Sequence, residues 1–209
     1  MTPTSFLLPA EIARVLKYLR QHKRYRNTRR NLAIFRLACC CGLRRKEIAG
    51  LNMKDVLTVG PRPSIMVRAA ITKGQVGKRK NRTVPLWWDT GTLKDLIAWK
   101  AYRVKMGAGP NDPFVCTMRV DCAGQRMLLD CISQQWQSAI RVLGRDRVRQ
   151  LSVHKGRHTC ASHLLSAGVP VAVVRDSLGH SNMSITDIYL HALPVDHITD
   201  VFGTHALVK

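Results

Sequence analysis

The sequence predicts a mainly α-helical domain with a small antiparallel β-hairpin, an α+β fold. Three observations carry that expectation. Apolar residues recur at i, i+3, i+4 and i+7 through most of the 209 residues, the spacing that lines one face of a helix. Between Leu57 and Leu86 the pattern shortens to that of strands, around one Gly- and Lys-rich run. Glycines and prolines punctuate the helical stretches singly, with no internal repeat and no low-complexity tract.

The elements follow in order. Pro9 stands where a first helical residue would, and Ile12, Val15, Leu16 and Leu19 carry an amphipathic helix to about His22. The basic run KRYRNTRR comes next, with Lys23, Arg24, Arg26, Arg29 and Arg30; it reads as a solvated connector or as a phosphate-contacting patch. Leu32, Ile34, Phe35, Leu37 and Ala38 mark a second helix ending near Gly42. The run Gly42-Leu43-Arg44-Arg45-Lys46-Glu47-Ile48 is a glycine stop followed at once by a new helical turn. Such a tight corner aims Arg44 through the packing of Leu43, Ile48 and Leu51, with Glu47 as an orienter of a neighbouring arginine. Ser64–Arg68 and Arg82–Leu86 read as strands, and Thr92–Met106 and Cys131–Leu143 as helices. Trp87, Trp88, Trp99 and Trp136 are assigned to the core. Gly144 opens a connection, GRDRVRQ, that exposes Arg145, Arg147 and Arg149. Beyond it a helix starts near His154, Gly168 and Pro170 punctuate the next one, and Gly179-His180 closes it.

Charge narrows the partner. Thirty-four Lys and Arg stand against 13 Asp and Glu, a formal +21, which calls for a polyanion without separating DNA from RNA or an anionic membrane. The seven cysteines include no CxxC pair at zinc spacing, and consecutive Cys39, Cys40 and Cys41 fan around a helix; they are expected as core thiols in a reducing compartment, with no metal. Residues 1–12 lack a basic leader and a long apolar core, and no apolar run approaches membrane-spanning length. A soluble, cytoplasmic protein of one domain is expected.

Residues Leu151 to His191 concentrate His154, Arg157, His158, His180, Tyr189 and His191 at places where helices begin or end. A cationic, imidazole-rich cluster beside a tyrosine suits a phosphodiester. The pattern H-x-x-R-H-T-x-A-x-x-L, then L-G-H, then T-x-x-Y-x-H resembles the C-terminal signature of the tyrosine recombinase (phage integrase) family. Two upstream stretches agree in order: G-L-R-x-x-E at 42–47 is similar to the family's first arginine box. Thr72-Lys73-Gly74 with Arg82-Thr83-Val84-Pro85-Leu86 is similar to its lysine-bearing hairpin.

The resemblance, from about Phe6 to His191, implies a tyrosine recombinase catalytic-domain fold and a site-specific recombinase or integrase that cleaves and rejoins DNA without metal or cofactor. It implies Tyr189 as the nucleophile forming a 3′-phosphotyrosyl link, and Arg44 and Arg157 on the phosphate oxygens. His154 and His180 would act as donors or proton-transfer partners, and Lys73 as general acid. The connection to Val84 is longer than usual in the family, so Lys78 or Lys80 is the alternative to Lys73. Gly156 departs from the family's usual apolar residue and is expected to loosen the helix start. His158 and His163 are read as braces of the helix or core, His191 as support for the tyrosine's loop. Partners implied are double-stranded DNA, gripped also by Arg24, Arg26, Arg29, Arg30, Lys78, Arg79, Lys80, Arg145, Arg147 and Arg149, and further copies of the chain in a dimeric to tetrameric synapse. Residues 1–209 form one catalytic domain, 192–209 being a tail that docks on a neighbour or back in cis; the family's separate N-terminal helical domain is expected to be absent. Two other readings share features: a non-catalytic helix-turn-helix module over Ala161–Leu190, and a DNA-relaxing enzyme of topoisomerase IB type.

Overall fold

The computed structural model describes residues 6–72, 80–86 and 89–179. Eight helices and three short strands run in the order α1 (Pro9–Gln21), α2 (Arg26–Phe35), α3 (Arg45–Gly50), β1 (Val56–Leu57), β2 (Ser64–Val67), β3 (Arg82–Pro85), α4 (Thr90–Lys105), α5 (Leu129–Ile140), α6 (Arg145–Gln150), α7 (Val153–Ser166) and α8 (Val171–Leu178) among those residues. The expected class, helical with a small antiparallel sheet, is the observed one.

α2 is the axis. Its sequence turns apolar on every side from Leu32 to Phe35, and burial continues through Arg36–Cys40, which winds as a π-helical turn. A helix apolar all round belongs inside the molecule. Phe35 stacks on Trp136 of α5 at 5.6 Å, and the Trp136 indole donates to Leu151 O at 2.7 Å, so the ring is held at both ends. The three consecutive cysteines are buried here as free thiols. Arg36, itself buried, survives in this setting through Asp95 at 2.9 Å and Asp89 at 3.4 Å on the α4 side.

The sheet is a strict meander, β1-β2-β3, antiparallel throughout, with Val56 opposite Ile65 and Val67 opposite Arg82. Val56, Ile65, Val67 and Val84 turn to the core while Met66 and Leu57 face out, a period-2 split that fixes the register. β1, two residues long, is too brief for alternation to reveal and was not expected. GRDRVRQ departs from the expected connection: it forms α6. Arg147 explains the ordering, because its guanidinium grips Glu11 of α1 at 2.7 and 3.0 Å and donates to Phe6 O at 2.7 Å.

Gly156 does the opposite of loosening its helix. It is buried within α7, and a Cβ there would stand 2.7 Å from Trp136 Cη2 and 3.2 Å from Ala38 Cβ. The missing side chain lets α7 lie against the α2 axis. Gly156→Val should therefore destabilise the fold by about 1–3 kcal/mol, an overpacking cost in a core that is already full. Urea unfolding measures it; an unchanged midpoint would show that the Trp136 ring can yield.

Candidate active site

The corner after the π-turn is built by Gly42, whose φ of 65° lies in the left-handed region. A methyl group here would also stand 2.2 Å from Leu178 Cδ2, so that side chain would have to shift to admit one. Two residues on, Arg44 caps α3: its backbone N–H donates to Glu47 Oε2 at 2.8 Å, and its Nη1 to Glu47 Oε1 at 3.0 Å. The expected role of Glu47 as an orienter of an arginine is what the geometry contains.

Glu47 is fully buried, and a second arginine reaches it. Arg82, the first residue of β3, forks onto the same carboxylate with Nη1–Oε1 at 2.9 Å and Nη2–Oε2 at 2.8 Å. Burial alone would raise the Glu47 pKa; the Arg82 hydrogen bonds and charge, with the Arg44 N–H and guanidinium, overcome it and hold the carboxyl below its ordinary range. Arg82 was not singled out from the sequence, although it opens the RTVPL pattern that was.

Arg157 completes the group from α7. His154 and Arg157 are one helical turn apart, yet they part company. His154 is exposed and packs edge-on to His158 at 4.6 Å, whereas Arg157 turns inward to 1% exposure. Its Nη1 donates to Gly42 O at 2.7 Å and its Nη2 to Leu178 O at 2.5 Å. Burial, then the neighbouring positive charges of Arg44 and Arg82, pull this guanidinium down to about 9, with Glu47 opposing. It stays cationic at neutral pH.

The three guanidiniums meet the end of α8 in register. Arg82 Nε donates to Ser177 O at 3.0 Å, Arg157 to Leu178 O, and Arg44 Nη2 to Gly179 O at 3.3 Å. These are carbonyls that a helix C-terminus leaves unpaired, at the negative end of its dipole. Gly179, at φ 69°, ends the helix in the left-handed cap that the sequence foresaw. Beside this cluster lies an open cleft of about 460 Å³, lined by Arg44, Arg45, Lys46, Ile71, Ser152 and His154 among others. Three cations around one carboxylate leave the group with net positive charge.

Lys73, His180 and Tyr189, together with Lys78, Arg79 and His191, lie outside the described residues, as do Trp87, Trp88 and the tail 192–209. Ile71 lines the cleft, and Gly179 O accepts from Arg44 Nη2. The proposed DNA-contacting residues divide. Arg24, Arg26, Lys80, Arg145 and Arg149 are exposed. Arg29 is partly buried, donating to Lys23 O at 2.6 Å with its guanidinium over the Tyr102 ring. Arg30 is buried at 5% exposure and bonds Asn31 and Gln135, and Arg147 is committed to Glu11. The alternation of the basic run could not show this, because Arg30 falls on the apolar side of α2. His163 is buried with its Nε2 at 2.9 Å from Leu7 O, the bracing place expected of it. Among the described residues no group of three His, Cys, Asp or Glu side chains stands together at metal-binding spacing, and no helix is long and apolar enough to cross a membrane.

A helical domain brings its glycine corner, strand-borne arginine and late helices together beside an open cleft, and the sequence pattern of one family is matched over residues 5–195. The chain belongs to the phage integrase family. A tyrosine recombinase of Pseudothermotoga lettingae is 30% identical over 188 residues, 90% of this chain and 56% of that protein. The tyrosine recombinase XerC of Corynebacterium glutamicum is 33% identical over 162 residues, 78% of this chain and 46% of its own length. The chain thus spans about half the length of the curated relatives it matches. In fold it is similar to the XerA recombinase, with a TM-score of 0.71 at 22% identity over 94% of this chain and 60% of that one. It is also similar to the catalytic domain of bacteriophage HP1 integrase, at TM-score 0.51 and 21% identity, covering 91% and 89% of the two chains.

Burial, followed by the charges of His154, Lys155 and Arg157, depresses the His158 pKa to about 4. The unfolded chain, with an ordinary value near 6.5, then takes up a proton that the folded chain refuses. Stability from this group is complete above pH 6.5 and lost as pH falls toward 4. Melting temperature should drop on acidification across that window, and less steeply in His158→Gln. Parallel pH profiles for the two proteins would assign the loss elsewhere.

Proposed function

We propose that this chain is the catalytic domain of a site-specific recombinase or integrase that breaks and rejoins duplex DNA through a 3′-phosphotyrosyl intermediate. One observation carries the reading: Arg44 and Arg82 share the buried carboxylate of Glu47 with the buried Arg157 nearby, leaving unneutralised charge beside an open cleft. A phosphodiester is the anion that suits it, since planar guanidinium forks match nonbridging phosphate oxygens. Arg44, the more exposed of the forks at 24% and the one that lines the cleft, would contact those oxygens, with the buried Arg157 adding positive charge nearby. Tyr189 Oη would attack phosphorus, and the 5′-oxygen would leave with a proton from Lys73; His154 and His180 would steady the phosphate or pass the phenol's proton. The phosphotyrosyl bond keeps the energy of the bond broken, so a second 5′-hydroxyl reverses the step and releases Tyr189. Attraction to duplex DNA follows from the formal +21 charge, with further copies of the chain and its 192–209 tail assembling the synapse. Membership of the family supports this chemistry over a helix-turn-helix reader. So does α7, in which Arg157 is turned inward to grip Gly42 and Leu178 rather than outward to a groove.

The nucleophile is tested by removing one oxygen. Tyr189→Phe should bind duplex DNA as wild type does and form no covalent adduct with nicked duplexes on a denaturing gel. An adduct from this variant would place the nucleophile elsewhere. The acid is tested by its leaving group. Lys73→Ala should cleave an ordinary substrate slowly, by roughly 100-fold or more, and recover on a 5′-bridging phosphorothiolate, whose thiolate departs unprotonated. If Lys78→Ala or Lys80→Ala alone shows that rescue, the acid is that residue.

A further inference from the structure

We propose that the cleft between the end of α4 and the turn 122–126 is a second anion site, which takes a free or terminal phosphate group away from the candidate active site. Arg103 of α4 is 2% exposed, and among the described residues its Nε is the buried side-chain nitrogen or oxygen that finds no hydrogen-bond partner in the protein. Its other nitrogens are thinly served. Nη2 donates to Pro113 O at 3.0 Å, and Nη1 meets Met106 Sδ at 3.9 Å, a weak acceptor. No carboxylate among the described residues pairs with it. A guanidinium at this depth ordinarily has an acid beside it, because taking the charge out of water is costly. Arg36 follows that rule elsewhere in the chain, with Asp89 and Asp95.

The cleft offers the place for the missing anion. It holds about 430 Å³, and Arg103, Gly124 and Arg126 are among its walls. Gly124, at φ 89°, borders Arg103 Nη1 with bare backbone; a Cβ there would already stand 3.9 Å from that nitrogen. Arg126 adds a second guanidinium, exposed and held by Ala49 O at 2.7 Å and Asn52 Oδ1 at 2.6 Å. Asp112 is the acid of the lining, and its Oδ2 is turned to the Gly109 N–H at 2.8 Å. Two guanidiniums thus stand against one carboxylate. A phosphate with a free end is close to a dianion at neutral pH, and its oxygens can accept from both forks. The free end matters, since Arg103 is reached end-on, whereas a phosphodiester inside a duplex carries a sugar on either side. Helix α3 keeps the two cationic places apart: Arg44 caps its first turn, and Arg126 grips Ala49 O near its last.

The site is tested on the whole chain without substrate DNA, so the outcome stands apart from the recombinase reading. Melting temperature is followed against inorganic phosphate, with sodium chloride holding the ionic strength constant. It should rise and saturate, because a ligand that binds the folded form stabilises it. Arg126→Gln should raise the half-saturating concentration about tenfold, the scale of one charge-assisted hydrogen bond. Ala123→Glu, which sets a carboxylate in the lining and keeps every arginine contact, should do the same. Arg44→Lys, altered in the other cleft, should keep the wild-type response, and gel-shift affinity for duplex DNA should be equal in wild type and Arg126→Gln. No saturating rise in the wild-type protein, or a rise that both pocket variants retain, overturns the inference. A response lost in Arg44→Lys and kept in Arg126→Gln overturns it too, by assigning the phosphate to the active-site cleft. So does an Arg126→Gln protein that loses duplex affinity and keeps its phosphate response, which would put DNA backbone at this surface. Should circular dichroism show Arg126→Gln unfolded, Ala123→Glu decides by the same criterion.

Discussion

The buried carboxylate of Glu47 is the constraint on which the site depends. A carboxylate with no solvent exposure is costly unless its lone pairs are filled and its charge is answered. Arg44 and Arg82 do both, from two different parts of the chain, and the Arg44 backbone N–H adds a third hydrogen bond. Because each partner is itself tied to the end of α8, satisfying one buried charge brings together the helix corner, the sheet and the late helix. Removing Glu47 would leave guanidiniums facing one another with nothing between them.

The same arrangement explains how three guanidiniums can stand close together. Clustered cations repel, and the pull on Arg157 down to about 9 is that repulsion added to burial. The molecule answers with backbone dipoles instead of further carboxylates: Ser177, Leu178, Gly179 and Gly42 present carbonyl oxygens to the forks. Carbonyls stabilise the guanidiniums without cancelling their charge, so the group keeps its net positive charge. Helix α8 thereby serves as a scaffold whose unpaired end holds all three guanidiniums.

Glycine matters at two places. Gly42 needs both its left-handed backbone and its bare Cα, with Leu178 where a Cβ would go, and Gly156 gives α7 its seat on Trp136. Both bring α7 and α8 close enough for Arg157 to span from Gly42 to Leu178. The π-turn at Arg36–Cys40 lies just before the first of them and sets the direction in which the chain enters the corner.

Much of this was legible in the sequence, because local rules govern it. The helices with a clear 3.6 period, Pro9 at the first helix start, the glycine stops at 42 and 179, and the strand over Arg82–Pro85 all follow from short-range pattern. So does family membership, since the arginine box, the lysine stretch and the HxxR stretch keep their order. What the sequence could not decide is which charges face inward. Arg26 and Arg30 sit four residues apart in one basic run, and only the packing of α2 against α5 buries the second. Arg145 and Arg147 are two apart, and only the presence of Glu11 on α1, 136 residues away, turns the second into a strut. Arg82 is the sharpest case: in sequence it is one more basic residue of a strand, and its meaning depends on Glu47 and Ser177, 35 and 95 residues distant. Local periodicity fixes where elements begin and end, whereas the partner of a buried charge is chosen by whatever the completed fold brings within hydrogen-bonding reach.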